Sequence, residues 1–250
     1  MLKRERQDYI LGQVRLNNKV LSSELSLELS VSEDTIRRDL RELSDNGKIR
    51  KVHGGAMSST SYIPFSYEDR KVFGQEKKIL IAKKALGLLR DDMVVMIDGG
   101  TTNLEIVKML PQDFRGTFVT NCVPVASELA KYRKVETIMV GGRLVPNAQT
   151  ATGADAIECV HNVRADLFFL GTRSIHPEQG VTDIDRDEVL VKKAMIGAAE
   201  RTVSLATEDK LNIVQPFVAG KINQIDMLVT NLPAEAEHMH PFAEKGVKIL

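Results

Sequence analysis

Residues 32–46 carry basic side chains at helical spacing, of the types that bind DNA. One face of this predicted helix is apolar, because three residues recur at that spacing: Ile36, Leu40 and Leu43. At about 100° per residue, Arg38 and Arg41 lie on the opposite face. Thr35 and Arg37 flank them. A row of arginines on a free helix face can hydrogen-bond to phosphates and to base edges in a major groove.

The residues on either side set the ends of this helix. Ser32 is a good N-cap, since its hydroxyl can accept the first free backbone N–H groups. The pair Asn46-Gly47 is typical of a left-handed C-cap. Basic and apolar residues then alternate over residues 48–52, and a turn follows at His53-Gly54-Gly55. This pattern predicts a short β-ribbon with a cationic outer face.

Two further helices are predicted upstream. The first spans Lys3–Asn17 and the second Leu21–Leu29, with Leu25 and Leu29 facing inward and Ser22 or Ser23 as its cap. Three helices and a ribbon in this order indicate a winged helix-turn-helix, whose third helix can enter a major groove. The predicted DNA-contacting residues are Ser32, Thr35, Arg37, Arg38, Arg41, Arg50, Lys51, His53 and Gly54.

Charge alone favours a different interpretation, in which this is a helical interaction module. The arginines lie among four acidic residues, Glu33, Asp34, Asp39 and Glu42, and such mixtures usually form a solvated face with i,i+4 pairs. Residues 1–57 hold eleven basic and nine acidic residues, a net charge of +2, and the whole chain is neutral with 34 of each. The DNA-binding hypothesis therefore depends on where the basic residues lie.

Composition bounds the remaining possibilities. A chain of 250 residues with 43% hydrophobic and 27% charged residues suits two globular domains or one large one. No apolar run approaches the roughly 18 residues that span a membrane, and the charged start of the chain lacks a signal-type segment, so a cytoplasmic location is expected. Cys122 and Cys159 have no metal or redox spacing and are expected to be reduced. We predict no cofactor, no metal site and no catalytic triad.

Residues 58–66 are rich in Ser and Thr and contain Pro64, which predicts a linker between a domain at 1–57 and another at 67–250. A helical pattern at 67–89 is interrupted by Gly74. Predicted strands follow at Met93–Ile97, Thr117–Thr120, Glu136–Val140, Leu167–Leu170, Thr202–Leu205, Met227–Thr230 and Val247–Leu250. They alternate with predicted helices at Thr101–Leu110, Val123–Tyr132, Ala154–Asn162, Arg186–Ala199 and Ala234–Lys245. This alternation predicts an α/β domain with a mostly parallel sheet.

Ligands of such sheets bind beyond the carboxyl ends of the strands. The first strand is followed by Gly99-Gly100-Thr101-Thr102 and then by a helix, an arrangement that suits an anion such as phosphate. Asp98 would repel phosphate there, so we expect it to accept hydrogen bonds from sugar hydroxyls or from the loop backbone. Glu188 and Lys192 have the spacing of an exposed salt bridge, and Lys210 would by default be a surface lysine.

The chain resembles the DeoR-type bacterial repressors. The segment VSEDTIRRDLRELSDNGKIRKVHGGA resembles their signature, with Ser30 where many members have glycine. The later segments EKKILIAKKA, DGGTTN, VTN, VGGRL, FLGTRSIHPEQGVTD, EVLVKKAM and DK resemble their sensor domain, whose Rossmann-like fold is similar to ribose-5-phosphate isomerase. By this resemblance, a phosphorylated sugar or similar metabolite would be surrounded by Asp98, Gly99, Gly100, Thr101, Thr102, Asn121, Gly142, Gly180, Thr182, Glu188, Lys192 and Lys210. The loop containing Arg173 and His176, and residues 207–212, depart from the family pattern.

Three functions remain open at this stage. The leading hypothesis is a repressor that binds double-stranded operator DNA as a homodimer or homotetramer and is released by its effector. The second is a sugar-phosphate isomerase with Glu188 as general base, which a lysine partner at Lys192 would disfavour by lowering the pKa of the carboxyl group. The third is an activator or an architectural DNA-binding protein, and near-zero net charge disfavours the latter.

Overall fold

The computed structural model describes residues 2–17, 19–46, 48–58 and 67–250, and the chain forms two compact units, Met1–Phe65 and Ser66–Leu250. Of the predicted linker, only Ser58 falls among these residues. The predicted cap at Gly47 also lies outside them. No helix in the described ranges has both the length and the hydrophobicity needed to cross a membrane.

The first unit consists of three helices and a small antiparallel sheet. Its elements are α1 (Lys3–Asn17), β1 (Lys19–Leu21), α2 (Ser22–Leu29), α3 (Glu33–Asp45), β2 (Ile49–Val52) and β3 (Gly55–Ser58). The sheet order is β1-β3-β2, so the predicted ribbon exists and gains a third strand that the sequence did not predict. The predicted apolar face of α3 is confirmed, since Ile36, Leu40 and Leu43 are at most 1% exposed.

The caps of α2 and α3 differ from each other. Ser32 caps α3 as predicted, because its hydroxyl accepts the Thr35 amide at 3.3 Å. The predicted cap of α2 by Ser22 or Ser23 is wrong. Leu21, the last residue of β1, takes the N-cap position, and the Ser22 amide donates to the carbonyl oxygen of Gly54 in the ribbon turn at 2.8 Å.

Ser30 ends α2 in the left-handed conformation, with φ 52° and ψ 42°. A β-carbon is unfavourable there and glycine is not. We expect Ser30→Gly to raise the free energy of unfolding of this unit by about 0.5–1 kcal/mol. Ser44→Gly, within α3, is the control and should lower it by about the same amount. Thermal unfolding followed by circular dichroism measures both, and a destabilised Ser30→Gly protein would contradict the prediction.

The second unit is built on a seven-stranded parallel sheet. The strands of the whole unit, including those outside this sheet, are β4 (Met93–Ile97), β5 (Gly116–Thr120), β6 (Val135–Met139), β7 (Arg143–Val145), β8 (Thr150–Thr152), β9 (Leu167–Gly171), β10 (Ser174–His176), β11 (Gly180–Asp183), β12 (Thr202–Leu205), β13 (Phe217–Gly220), β14 (Met227–Val229) and β15 (Lys248–Ile249). The order β15-β14-β12-β9-β4-β5-β6 contains all seven predicted strands, every pair parallel. Two smaller antiparallel sheets, β7-β8 and β10-β11-β13, were not predicted.

Helices cover both faces of the parallel sheet. They are α4 (Tyr67–Val72), α5 (Gln75–Leu86), α6 (Thr101–Lys108), α7 (Val123–Leu129), α8 (Ala154–His161), α9 (Arg186–Ala198) and α10 (His240–Glu244). Residues of α5, α6 and α7 share one core with alternate strand residues, and those of α8 and α9 share the other. Gly74 separates α4 from α5 as predicted, with φ +59°. The predicted helix at Ala234–Lys245 is mostly wrong, since only a 3-10 turn and the short α10 form there.

The strand order creates one point where neighbouring connections diverge. From β4 the chain continues to β5 and β6 on one side, whereas β9 pairs with β4 on the other. The loops after β4 and β9 therefore leave the sheet next to each other and run apart. In open parallel sheets this is where ligands bind.

Candidate DNA-contacting surface and effector site

The exposed face of α3 presents two unpaired arginines. Arg38 and Arg41 are exposed, and neither has an ion-pair partner among the described residues. Arg37 is also exposed, but its guanidinium lies 2.7 Å from Glu33 and 3.8 Å from Asp34. The interpretation as an i,i+4-paired solvated face therefore describes Arg37 and leaves Arg38 and Arg41 available for another acceptor.

Two acidic residues of α3, Asp39 and Glu42, contact α1 instead. Asp39 is 1% exposed, and its carboxylate accepts from Arg6 at 2.5 Å. Glu42 lies 2.7 Å from Lys3, and Gln7 donates to it at 2.9 Å, so that the pKa of Glu42 is lowered. These contacts separate the two charge signs, because carboxylates are held against a neighbouring helix while arginines stay in solvent.

The other predicted DNA-contacting residues lie at the start of α3 and on the ribbon. The hydroxyl groups of Ser32 and Thr35 are 2.9 Å apart. Lys51, His53 and Gly54 are exposed, and Gly54 has φ +78°, which the tight turn requires. The side chain of Arg50 lies outside the described part of the structure. Contact of these residues with DNA stays a prediction.

The turn after β4 brings two backbones unusually close. A β-carbon at Gly171, at the end of β9, would lie 2.0 Å from the carbonyl oxygen of Gly99, and one at Gly99 would lie 2.2 Å from the Thr150 side chain. Gly100 has φ +133° and caps the start of α6. Only glycine fits these positions. The turn therefore sets the first N–H groups of α6 beside the end of β9, as an anion-binding turn requires.

Lys192 is buried at this point and ties three segments together. Its Nζ lies 2.7 Å from Asp98, 2.7 Å from the carbonyl oxygen of Gly171 and 3.4 Å from Asp183. The side chains of Lys192 and Asp98 are only 5% and 2% exposed. The predicted exposed salt bridge with Glu188 is therefore wrong, since buried carboxylates of β4 and β11 compete successfully for the ammonium group. Asp98 correspondingly binds Lys192, where we had expected sugar hydroxyls or the loop backbone.

Glu188 is left without the partner that the sequence suggested. The pKa of its carboxyl group is raised to about 7. Burial is the largest cause, Lys192 opposes the shift, and Asp183 and Asp98 add to it. Lys192 lowers this pKa as expected, but the expected net lowering is wrong, because desolvation outweighs an ammonium group that is already bound to Asp98.

This pKa makes stability depend on pH in a definite sense. Glu188 binds its proton more tightly in the folded chain, so its ionisation costs stability as pH rises from about 4.5 to 7. Glu188→Gln should therefore raise the free energy of unfolding by on the order of 1–3 kcal/mol at pH 8, with little change at pH 4. Urea unfolding at both pH values measures this. The exposed Glu200→Gln is the control, and equal effects of Glu188→Gln at both pH values would contradict it.

Four basic side chains meet around the same turn. We call them the cation cluster: Arg70, Lys78, Arg173 and Lys210. None has an ion pair with a described carboxylate. Burial lowers the pKa of Arg70, Lys78 and Lys210, and other cations of the cluster add to the lowering. Burial, the largest cause, lowers the pKa of Lys78 and of Lys210 to about 8, although Asp209 opposes the shift. Lys210 donates to the Thr172 carbonyl oxygen at 2.7 Å, so the default expectation of a free surface lysine is wrong.

The remaining predicted effector residues have mixed surroundings. Thr102 and Asn121 are buried, and the Oδ1 of Asn121 has no partner among the described residues. The hydroxyl group of Thr182 is already hydrogen-bonded within the protein: it pairs with the Ser174 hydroxyl and accepts from the Gln215 amide at 2.8 Å. Gly142 and Gly180 allow close packing, since a β-carbon would lie 2.5 Å from Thr152 and 2.1 Å from Gly220, respectively. Their part in an effector site stays a prediction.

Sequence reasoning missed Arg70 and Lys78. Lys78 carried a usable signal, because it belongs to the same helical stripe of α5 as Ile81, Ala82 and Ala85, and a lysine within a buried stripe is unusual. Its Nζ donates to the carbonyl oxygens of Arg70 and Phe73. Arg70 had no comparable signal, since α4 is too short to show a periodic pattern.

A winged helix-turn-helix followed by a Rossmann-like unit with a cation cluster defines a transcription regulator with a sensor domain. The DeoR-like helix-turn-helix domain family matches residues 6–62, and the DeoR C terminal sensor domain family matches residues 74–232. The chain belongs to the DeoR family of transcriptional regulators.

Similar proteins match along the full length. The HTH-type transcriptional regulator GlpR of Haloferax volcanii is 32% identical over 251 residues, covering 100% of this chain and 98% of that protein. The regulator GolR of Listeria innocua is 30% identical over 246 residues, covering 98% and 97%. The glycerol-3-phosphate regulon repressor of Escherichia coli is 27% identical over 249 residues, covering 100% and 99%.

Solved structures resemble this chain in fold at low identity. Ribose 5-phosphate isomerase A of Methanocaldococcus jannaschii is 15% identical with a TM-score of 0.41, covering 55% of this chain and 54% of that one. The tetrameric eIF2B complex of C. thermophilum is 12% identical with a TM-score of 0.48, covering 68% and 60%.

Proposed function

We propose that the chain is a repressor whose operator binding is released by a phosphorylated sugar or a similar anionic metabolite. The observation that carries this proposal is the presence of both DeoR-type domains on one chain. Relatives with repressor names, including those of the aga operon and the glycerol-3-phosphate regulon, support the sign of regulation. The DNA-binding domain is taken as residues 1–57, the linker as 58–66 and the sensor domain as 67–250.

DNA binding would involve the exposed arginines of α3 in a major groove and the ribbon along the backbone. One winged helix contacts only one half-site, so specific binding calls for a homodimer or a homotetramer. A cytoplasmic location follows from this function. Because the chain has no net charge, affinity would come from the placement of Arg38 and Arg41 more than from bulk attraction.

The effector would bind at the turn after β4. The free N–H groups of α6 and the cation cluster both favour an anion, and the unpaired cations explain why a phosphate would be preferred to a neutral sugar. The proposed site combines the predicted residues Asp98, Gly99, Gly100, Thr101 and Lys210 with the newly found Arg70, Lys78 and Arg173.

A band-shift assay with the promoter region nearest the gene tests the first half of this proposal. We expect a sequence-selective shift that weakens as salt rises, because phosphate contacts release counterions. A thermal-shift screen of phosphorylated sugars tests the second half. A ligand at a hundred times its dissociation constant adds about 2.7 kcal/mol to the stability of the sensor unit, and the same ligand should abolish the band shift. A selective shift that no phosphorylated ligand reverses would contradict the effector part alone.

An isomerase activity is the second candidate, and the raised pKa of Glu188 favours it. A carboxyl group with a pKa of about 7 is suited to general base catalysis near neutral pH. Turnover of ribose 5-phosphate that disappears in Glu188→Gln would establish this activity. We expect no turnover, since the described relatives are regulators.

A further inference from the structure

The helix α4 carries two buried polar atoms for which no described residue supplies a hydrogen-bond partner. The hydroxyl of Tyr67 and the Nε of Arg70 are buried and have no hydrogen-bond partner among the described residues. They are three positions apart and therefore share one face of the helix. Buried polar groups in native proteins are almost always paired. A buried guanidinium N–H without an acceptor points to an acceptor that comes from outside the chain.

The rest of the Arg70 side chain is held in place. Its guanidinium carbon lies 5.7 Å from the ring centroid of Tyr67, and a terminal nitrogen donates to the carbonyl oxygen of Asn147 at 3.2 Å. Arg173 and Glu188, from the loop after β9 and from α9, are both close enough to act on its charge. The guanidinium thus lies where the segments of the proposed anion site meet, and Nε is the donor that remains free.

The backbone of Arg70 is bonded to the same turn. Its carbonyl oxygen accepts from Thr101, the first residue of α6, at 3.2 Å, and also from the Nζ of Lys78. A hydroxyl group has one hydrogen, so Thr101 cannot donate to Arg70 and to a bound anion at once. An anion at this turn would therefore affect Arg70 in two ways. It would accept a hydrogen bond from the Nε–H, and it would compete with the Arg70 carbonyl oxygen for the hydroxyl hydrogen of Thr101.

The place of α4 in the chain gives these contacts a regulatory meaning. It is the first described element after the predicted linker, so the chain that leaves the DNA-binding unit enters the sensor unit at this helix. Two sites are coupled when ligand binding at one of them changes the position of an element, and when that position affects binding at the other. α4 meets both conditions, because it contributes a side chain to the anion site and is joined covalently to the linker.

We propose that Arg70 binds the anionic group of the effector and that α4 thereby transmits occupancy of the sensor to the DNA-binding unit. This inference rests on the proposed function and names the residue through which it is regulated. The ligand chemistry is a phosphate or a similar tetrahedral oxyanion, whose oxygens accept from Nε–H, from the cation cluster and from the start of α6.

The test compares Arg70→Gln with Lys71→Gln in the full-length chain. Lys71 is on the same helix, its side chain is 41% exposed, and its Nζ lies 3.4 Å from Glu68, so its replacement removes one charge outside the cation cluster. Inorganic phosphate and ribose 5-phosphate serve as probes, with affinity measured by calorimetry and operator binding by band shift. For Arg70→Gln we expect probe affinity weakened about tenfold or more and loss of probe-induced release, whereas Lys71→Gln should match the wild type in both.

Hydrogen exchange separates regulation from a merely structural role. The probe should slow exchange of the amides at 67–72 in the wild-type chain and leave it unchanged in Arg70→Gln, with 154–161 of α8 as the internal reference. If Arg70→Gln does not fold, Arg70→Lys is the second variant. It keeps the charge but lacks the Nε–H, and it should lose part of the probe affinity and the added protection.

The outcomes distinguish this inference from the proposed function. Equal probe affinity in wild type and Arg70→Gln overturns it, as does a wild-type chain that binds the operator but neither probe. A chain that binds the probes and no operator overturns the proposed function, and the Arg70→Gln affinity still decides whether Arg70 holds the anion.

Discussion

Lys192→Met should lower the free energy of unfolding of the sensor unit by about 3–5 kcal/mol, because it leaves buried carboxylates without their counter-ion. Lys192 lies between Asp98 and Asp183 and also donates to the Gly171 carbonyl oxygen, so one substitution removes the partner of three acceptors. Burial opposes the charged form of Lys192, but Asp98, Asp183 and Glu188 raise its pKa above the ordinary value. The group that the substitution removes is therefore an ammonium ion. Urea unfolding at neutral pH measures the effect.

The neighbouring residue supplies a matched control. Lys193 is exposed on the same helix, and Lys193→Met should change stability by less than about 0.5 kcal/mol. Adding Asp98→Asn to Lys192→Met should recover part of the loss, because removing both partners of a buried pair costs less than removing one. Equal stability of the two methionine variants would show that the buried network contributes nothing.

Arg38→Ala and Arg41→Ala should each weaken specific operator binding by about 1–3 kcal/mol, which corresponds to roughly 5- to 150-fold. The reason is their position: both are exposed on α3. The carboxylates of Asp39 and Glu42 are already bonded to α1, and those of Glu33 and Asp34 lie beside Arg37. An arginine that contacts a guanine affects one sequence position. One that contacts a phosphate weakens all sequences and reduces the salt slope by about one.

Arg133→Ala controls for the loss of a positive charge, since Arg133 is exposed on the sensor unit. Arg37→Ala is a second comparison and should have a smaller effect than Arg38→Ala, because Arg37 is bonded to Glu33. Titration of labelled operator at two salt concentrations measures all four variants. Full affinity in the Arg38→Ala, Arg41→Ala double variant would remove α3 from the interface.

The central strands of the main sheet were predictable because they are buried on both faces. Such strands form continuous apolar runs, as in Met93–Ile97 and Leu167–Gly171, and all seven were located from the sequence. The antiparallel additions were not, since strands of three residues such as Arg143–Val145 have no period to detect. The prediction for Ala234–Lys245 failed differently, because its composition suits a helix whereas only a 3-10 turn and the short α10 form there.

The hydrogen-bond partners within the candidate site were not predictable from the sequence, and the residues predicted to surround an effector stay a prediction. The glycines and Lys192 follow from the turn and from the family resemblance. The bond between Lys192 and Asp98 joins residues 94 positions apart, and local spacing instead favoured Glu188. The raised pKa of Glu188 follows from burial, which is a property of the fold. Arg70 illustrates the same limit, since only the folded chain brings α4 to the turn after β4.

The third strand of the N-terminal sheet has a consequence for association with DNA. β1 pairs with β3 along its length, the Ser22 amide bonds to Gly54, and a β-carbon at Gly55 would lie 1.9 Å from the Val20 carbonyl oxygen. These contacts hold the ribbon against the start of α2 in the absence of DNA. A preorganised ribbon loses little conformational entropy at the moment of docking, so its few cations can contribute nearly their whole interaction free energy to affinity.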